Sequence, residues 1–264
     1  MKIPSDWDKP GKENADRVRL FHAERYIGRS EILGEVTIPY RFFVPNVRAT
    51  GEKFPLVLYL HGADAVGMDN EKQLAIHDIG TVFAAESRQK YAPCYILAPQ
   101  YHRGTHWAKD GMPEVLHTFI EAFIGKNPMI DRNRIYIYGY SAGGIGTFRL
   151  IKSYPSYFAA ALPICGATIG SDYGKLSGTP MWMFHAIDDL IVPAGDRLYD
   201  VSENEYHGSH SICEKLGPVM GEALKYTEYK RGYMTKHYAI NPHCTWVPAG
   251  ECEEAHRWLF SQKR

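Results

Sequence analysis

The chain has 264 residues, 45% hydrophobic and 23% charged, ordinary globular values that argue against wholesale disorder and against a disulfide-stapled mini-domain. Thirty Lys plus Arg balance thirty Asp plus Glu, so no positive excess draws in phosphate backbones or anionic lipid. Neither nucleic acid nor a membrane is expected as a partner.

After a polar start, the runs R-V-R-L-F-H-A-E-R-Y-I (17–27) and E-V-T-I-P-Y-R-F-F-V-P (35–45) partly alternate apolar and polar residues, which predicts an antiparallel edge hairpin. From Phe54 the pattern changes. Short, nearly continuous apolar runs at 55–60, 94–99, 134–139, 159–164 and 180–185 alternate with helical stretches near 78–90, 112–125, 143–153 and 208–225. Such runs read as strands buried on both faces, and their repetition with helices predicts parallel crossovers in a doubly wound sheet. A last β-like run, 224–229, precedes a polar loop and a C-terminal helix over 251–260. No repeat, low-complexity tract or linker divides the chain, so one α/β domain over 1–264 is expected, with the antiparallel strands at 17–45 and the core from about 54.

No apolar run approaches the ~18 residues of a spanning helix, and M-K-I-P-S-D-W-D-K-P has no apolar signal region. Five scattered cysteines without a C-x-x-C pair read as reduced thiols. The expected location is the cytoplasm, with secretion the alternative if a signal peptide has been removed.

In an open parallel sheet, ligands bind beyond the carboxyl ends of the strands. The sharpest signal at such an end is Gly139-Tyr140-Ser141-Ala142-Gly143, a G-x-S-x-G directly after one predicted strand and opening a predicted helix. This is the context of a nucleophile elbow, where glycines spare a strained turn from colliding with the neighbouring strand and helix. A serine nucleophile needs a base, and the base needs an acid, here in the chain order Ser, Asp or Glu, His. Asp188 and Asp189 follow the strand at 180–185, and two adjacent carboxylates point in different directions, so one of them serves. Of the later histidines, His207 and His210 come too early and His256 belongs to the polar side of the last helix. His243, in the loop before that helix, is the expected base, with His237 in reserve. The oxyanion would be met by the amides of Ala142, after the serine, and Ala63, after the strand at 55–60, while His61 braces that loop.

L-H-G-A-D near 60, L-A-P-Q at 97–100, D-R-N-R-I-Y-I-Y-G-Y-S-A-G-G, P-I-C-G at 163–166, F-H-A-I-D-D-L-I-V-P and H-C-T-W near 243 resemble the α/β-hydrolase superfamily. Within it they are similar to single-domain serine esterases grouped as predicted peptidases or as relatives of dienelactone hydrolase, polyhydroxybutyrate depolymerase and feruloyl esterase. The resemblance runs from about residue 54 to the end. It implies the α/β-hydrolase fold without a large cap, and it selects Asp189 as the acid, through D-x-x-V-P ending at Pro193, and His243 as the base, through H-x-x-W. Ala186 departs from the usual glycine, and the long stretch after Pro193 has no counterpart.

Two weaker signals remain. His207, His210 and Cys213 could cluster on a helix and bind zinc, but the bland reading is a partly exposed helix start with Cys213 buried. Y-H-R-G-T-H-W (101–107) follows a strand end, so Trp107 is a candidate substrate contact together with Tyr140 and Trp246. The short, glycine-rich interval 165–179 leaves no room for a cap, which predicts a shallow cleft. The expectation is a carboxylic ester hydrolase acting through an acyl-enzyme, without metal or organic cofactor, on short-acyl or aryl (acetyl- or feruloyl-type) esters, small or polymer-attached. A serine peptidase of the same fold and a non-catalytic binding protein are the alternatives.

Overall fold

The computed structural model describes residues 7–46, 51–198 and 205–264. The first of these opens with a short helix α1 (Asn14–Arg19), not the strand expected there, because Asn14 is anchored: its side-chain amide donates to the Leu74 carbonyl and its Oδ1 accepts from Thr81. The hairpin follows as β1 (His22–Ser30) and β2 (Gly34–Phe43), antiparallel with Tyr26 opposite Ile38.

The remaining elements alternate as the apolar runs imply. They are β3 (Phe54–Leu60), α2 (Lys72–Ala75), α3 (Glu86–Tyr91), β4 (Tyr95–Pro99), α4 (Met112–Lys126), β5 (Ile130–Tyr140), α5 (Ala142–Ser153), β6 (Ala160–Ile164), β7 (Ala167–Ile169) and β8 (Met181–Ala186). Then come β9 (Asp196–Leu198), β10 (Glu205–Gly208), α6 (Ser209–Met220), β11 (Leu224–Tyr229), α7 (Tyr233–Tyr238), α8 (Trp246–Glu251) and α9 (Glu253–Ser261). Eight strands form the main sheet in the order β1-β2-β4-β3-β5-β6-β8-β11, antiparallel across β1, β2 and β4 and parallel from β4 onward.

The period-two alternation of strand side chains explains why β3 and β5 read as unbroken apolar runs. Leu56, Leu58 and Leu60 of β3, with Ile135 and Ile137 of β5, face the side covered by α4, α5 and α6. Val57, Tyr59, Tyr136, Tyr138 and Tyr140 face the opposite layer, where Ile79, Phe83, Trp246 and Leu259 pack.

Two helix expectations change in detail. The 78–90 stretch is a 3-10 segment over Asp78–Ala84 followed by α3, and the polar loop after β11 contains α7 and α8. Between β6 and β8 lie only β7 and a 3-10 segment over Ser171–Gly178, with no cap. The stretch after Pro193 supplies β9 and β10, which pair with each other and, through β10, with β7; residues 199–204 lie outside the described ones. Among the described residues no helix is long and apolar enough to cross a membrane, and all five cysteines are free.

Candidate active site

Strand β5 ends at Tyr140 and α5 begins at Ala142, which leaves Ser141 alone at the turn with φ 54° and ψ −120°. Positive φ costs a non-glycine residue about 1–3 kcal/mol and persists only where the surroundings impose it. Here the backbones on either side touch. A Cβ on Gly143 would lie 1.9 Å from the Leu60 carbonyl oxygen, and one on Gly139 would lie 2.6 Å from the Gly143 oxygen. The Ser141 amide is tied down as well, donating to Ile164 O at 3.0 Å and to Cys165 Sγ at 3.2 Å. The serine is thus held above the strand ends at 8% exposure.

His243 reaches the turn from the segment between α7 and α8, its backbone N–H bonded to Asn241 Oδ1 at 2.9 Å. Its Nε2 lies 2.9 Å from Ser141 Oγ and its Nδ1 2.7 Å from Asp189 Oδ2. Asp189 follows β8. Its Oδ1 accepts from the amides of Ile191 (2.8 Å) and Val192 (3.1 Å), and its Oδ2 is also 3.2 Å from His185 Nε2. Burial pushes the Asp189 carboxyl upward, but the hydrogen bonds from His185 and His243 outweigh it and hold the group well below the ordinary carboxylate range. A carboxylate acceptor at Nδ1 demands Nδ1–H, which leaves Nε2 with its lone pair toward the serine hydroxyl. A fixed carboxylate, an oriented imidazole and a hydroxyl form one line, able to remove the serine proton as Oγ attacks a carbonyl. Asp188 points elsewhere, accepting from Gly232 N at 2.7 Å and bracing the turn after β11.

The Ser141 amide being spent, the next N–H is that of Ala142, which as the first residue of α5 has no partner within its helix. Ala63 opens the 3-10 turn after β3 and is exposed. Its loop is braced by His61, whose Nδ1 donates to Gly62 O at 2.6 Å while Nε2 accepts from Tyr101 N at 3.3 Å; burial lowers this histidine to about 4, which keeps it neutral.

A second network lies behind the line. Asp64 accepts from Tyr140 Oη at 2.7 Å and from His77 Nε2 at 2.7 Å, and His77 Nδ1 sits 2.9 Å from Asp8 Oδ1 in a charge contact without hydrogen-bond alignment. Burial pulls His77 down, yet the two carboxylates more than offset it and raise it to about 9. Asp8 also accepts from Trp246 Nε1 at 2.7 Å, and the rings of Trp7 and Trp246 stand 5.7 and 5.6 Å from that of His243.

No family model matches the sequence, and no curated protein does. Solved structures match with a probability of 1.00. A thermostable esterase shares 36% identity and a TM-score of 0.79 over 94% of this chain and 64% of its own. An acylaminoacyl peptidase of Pyrococcus horikoshii shares 14% identity at TM-score 0.62, covering 96% of this chain and 44% of its own. A puromycin-hydrolyzing peptidase of Mycobacterium tuberculosis shares 16% at TM-score 0.62, covering 92% and 40%. The chain folds as an α/β-hydrolase. It spans about two thirds of the length of the esterase it matches, 64%, and less than half of each peptidase.

Within this α/β-hydrolase, three expected substrate contacts are corrected. Trp107 is 1% exposed and donates its indole N–H to the His61 carbonyl at 2.9 Å, so it stands beneath the loop after β3. Tyr140 and Trp246 are equally buried, because strand alternation and the Asp64 and Asp8 acceptors turn them into the layer under the site. His256 is buried against Phe83 and not on the polar side of α9. His237 is exposed in α7.

The zinc cluster does not assemble. His207 belongs to β10 and bonds Asp196, His210 bonds Glu228, and Cys213 is only half-buried; no metal-binding group of three such side chains occurs among the described residues. Sequence reasoning did not find Asp64, His77, His185 or Ser209 as parts of the surroundings. Ser209 lies in H-G-S-H, which reads as a partly exposed helix start and carries no sign of a bond to His185.

Proposed function

We propose that the chain is a serine-dependent carboxylic ester hydrolase working through an acyl-enzyme, on short-acyl or aryl esters that are free or carried on a larger molecule. The observation that supports it is the hydrogen-bonded line from Ser141 Oγ through His243 to Asp189, 2.9 and 2.7 Å, at a backbone turn that only a packed elbow sustains. Ser141 Oγ attacks the ester carbonyl as His243 Nε2 takes its proton. The Ala63 and Ala142 amides meet the oxyanion, the alcohol leaves with the proton from His243, and water repeats the sequence to release the acid. The likeness to the esterase favours esters, and the lack of a cap between β6 and β8 favours small or protruding ones. Ile187, Leu190 and Ile191 on the acid loop are exposed and offer an apolar rim.

The test is a fluorophosphonate probe together with p-nitrophenyl acetate, butyrate and longer esters, a feruloyl ester and a peptide. Ser141 should be labelled, and Ser141→Ala should lose at least ~1,000-fold in turnover while keeping its fold. Retained turnover, or preference for long-chain esters or the peptide, would overturn the corresponding part of the proposal.

A further inference from the structure

The acid of the proposed triad has a second histidine on it. His185, the fifth residue of β8, is fully buried, and its Nε2 lies 2.7 Å from the Val192 carbonyl and 3.2 Å from Asp189 Oδ2. Both are acceptors, the carbonyl always and the carboxylate because it is held ionised, so Nε2 must carry a hydrogen. The proton is shared, mostly with Val192, whose own N–H is one of the two donors into Asp189 Oδ1. One imidazole therefore grips both the carboxylate and the loop that clamps it.

The other nitrogen accounts for a segment that the sequence left without a role. His185 Nδ1 lies 2.9 Å from Ser209 Oγ, a hydroxyl that is also within 3.3 Å of the Gly166 carbonyl, so Ser209 ties the ring to the loop after β6. Ser209 opens α6, at the end of the stretch that follows Pro193. Its place is enforced by backbone contact, since a Cβ on Gly208 would lie 2.2 Å from the Pro193 oxygen and 2.3 Å from that of Ala194, while the His210 amide donates to Ala194 O at 2.9 Å. Ser209 is itself fully buried.

We propose that His185 is a positioning residue for Asp189, with its ring held in place by Ser209, so that the start of α6 completes the support of the triad. The inference rests on the ester-hydrolase reading above. Without His185, Val192 O is left buried and unpartnered, the loop loses its anchor, and Asp189 loses one of its two side-chain donors. The carboxylate then samples orientations that do not align His243.

The variants are His185→Leu, which removes both nitrogens, His185→Gln, whose amide reaches the Nε2 position, and Ser209→Ala. Each is titrated with fluorophosphonate to count competent sites, so that turnover of p-nitrophenyl acetate is expressed per labelled site and misfolding does not enter. Per site, His185→Leu should lose about tenfold or more in kcat with KM within about twofold, and His185→Gln should recover most of it. Ser209→Ala should lose about threefold or more in kcat and decides the matter if His185→Leu does not fold. Per-site kcat within twofold of the parent in both His185→Leu and Ser209→Ala, or in Ser209→Ala alone where the leucine variant is unfolded, overturns the role of His185. Failure of the probe to label Ser141 in the parent would instead overturn the ester-hydrolase reading.

Discussion

Replacing Asp189 with Asn exchanges one carboxylate oxygen for an NH2 group and should stop the chemistry for a reason visible in the hydrogen bonds. The Oδ1 position receives two backbone donors, Ile191 N and Val192 N, so the carbonyl oxygen of the asparagine must occupy it. The NH2 group is then forced toward His243 Nδ1, where the carboxylate oxygen had been 2.7 Å away. A donor there requires Nδ1 to be the lone-pair nitrogen, which moves the imidazole hydrogen to Nε2 and aims it at Ser141 Oγ. A protonated Nε2 cannot accept the serine proton. The wrong tautomer costs about 10⁴ in kcat in a triad of this kind, which corresponds to about 5.4 kcal/mol of barrier. The assay is p-nitrophenyl acetate turnover at neutral pH with protein concentration from absorbance and fold from circular dichroism. A folded Asp189→Asn variant within tenfold of the parent would mean that Asp189 does not set the tautomer of His243, and the assignment of roles in the line would fall.

Two further outcomes concern stability. Gly143→Ala puts a methyl group 1.9 Å from the Leu60 carbonyl oxygen and should cost at least about 3 kcal/mol, whereas Gly125→Ala in α4 meets nothing within 4 Å and should stabilise by about 0.5–1 kcal/mol. Thermal melts should separate the pair by about 7–15 °C, and equal Tm values would refute the steric account of the elbow. His77, raised from 6.5 to about 9 despite its burial, contributes stability that is complete below about pH 6.5 and lost as pH rises through about 9. The loss amounts to about 3 kcal/mol. Melts between pH 6 and 9.5 should therefore show a steeper fall in the parent than in His77→Gln, and parallel curves would exclude a charged His77 between Asp8 and Asp64.

What was legible in the sequence was local or periodic. The apolar runs of β3 and β5 announce strands buried on both faces because the alternation puts one set of side chains into each layer, and G-x-S-x-G marks a junction whose geometry is set within five residues. α1 was misread because its stability comes from Asn14 bonding to Leu74 and Thr81, some sixty residues on, which no local pattern carries. The aromatic residues near the motifs were misplaced for a related reason. Tyr140 and Trp246 stand within the motifs and Trp107 follows a strand end, but the direction of each ring depends on a distant acceptor: Asp64, Asp8 and the His61 carbonyl.

By itself, then, the order of residues determined the strand-and-helix alternation, the strained serine turn and the narrow choice of acid and base, since each depends on spacing of a few residues or on succession along the chain. Only the tertiary structure decided which side chains surround them. His243 and Ser141 are separated by 102 positions, and Asp8 and Trp246 by 238. His185 meets Asp189 from β8, and Ser209 meets His185 from α6. Contacts of that kind arise when separate segments are packed against one sheet, and the direction of a side chain in that packing is set by the partners it meets there.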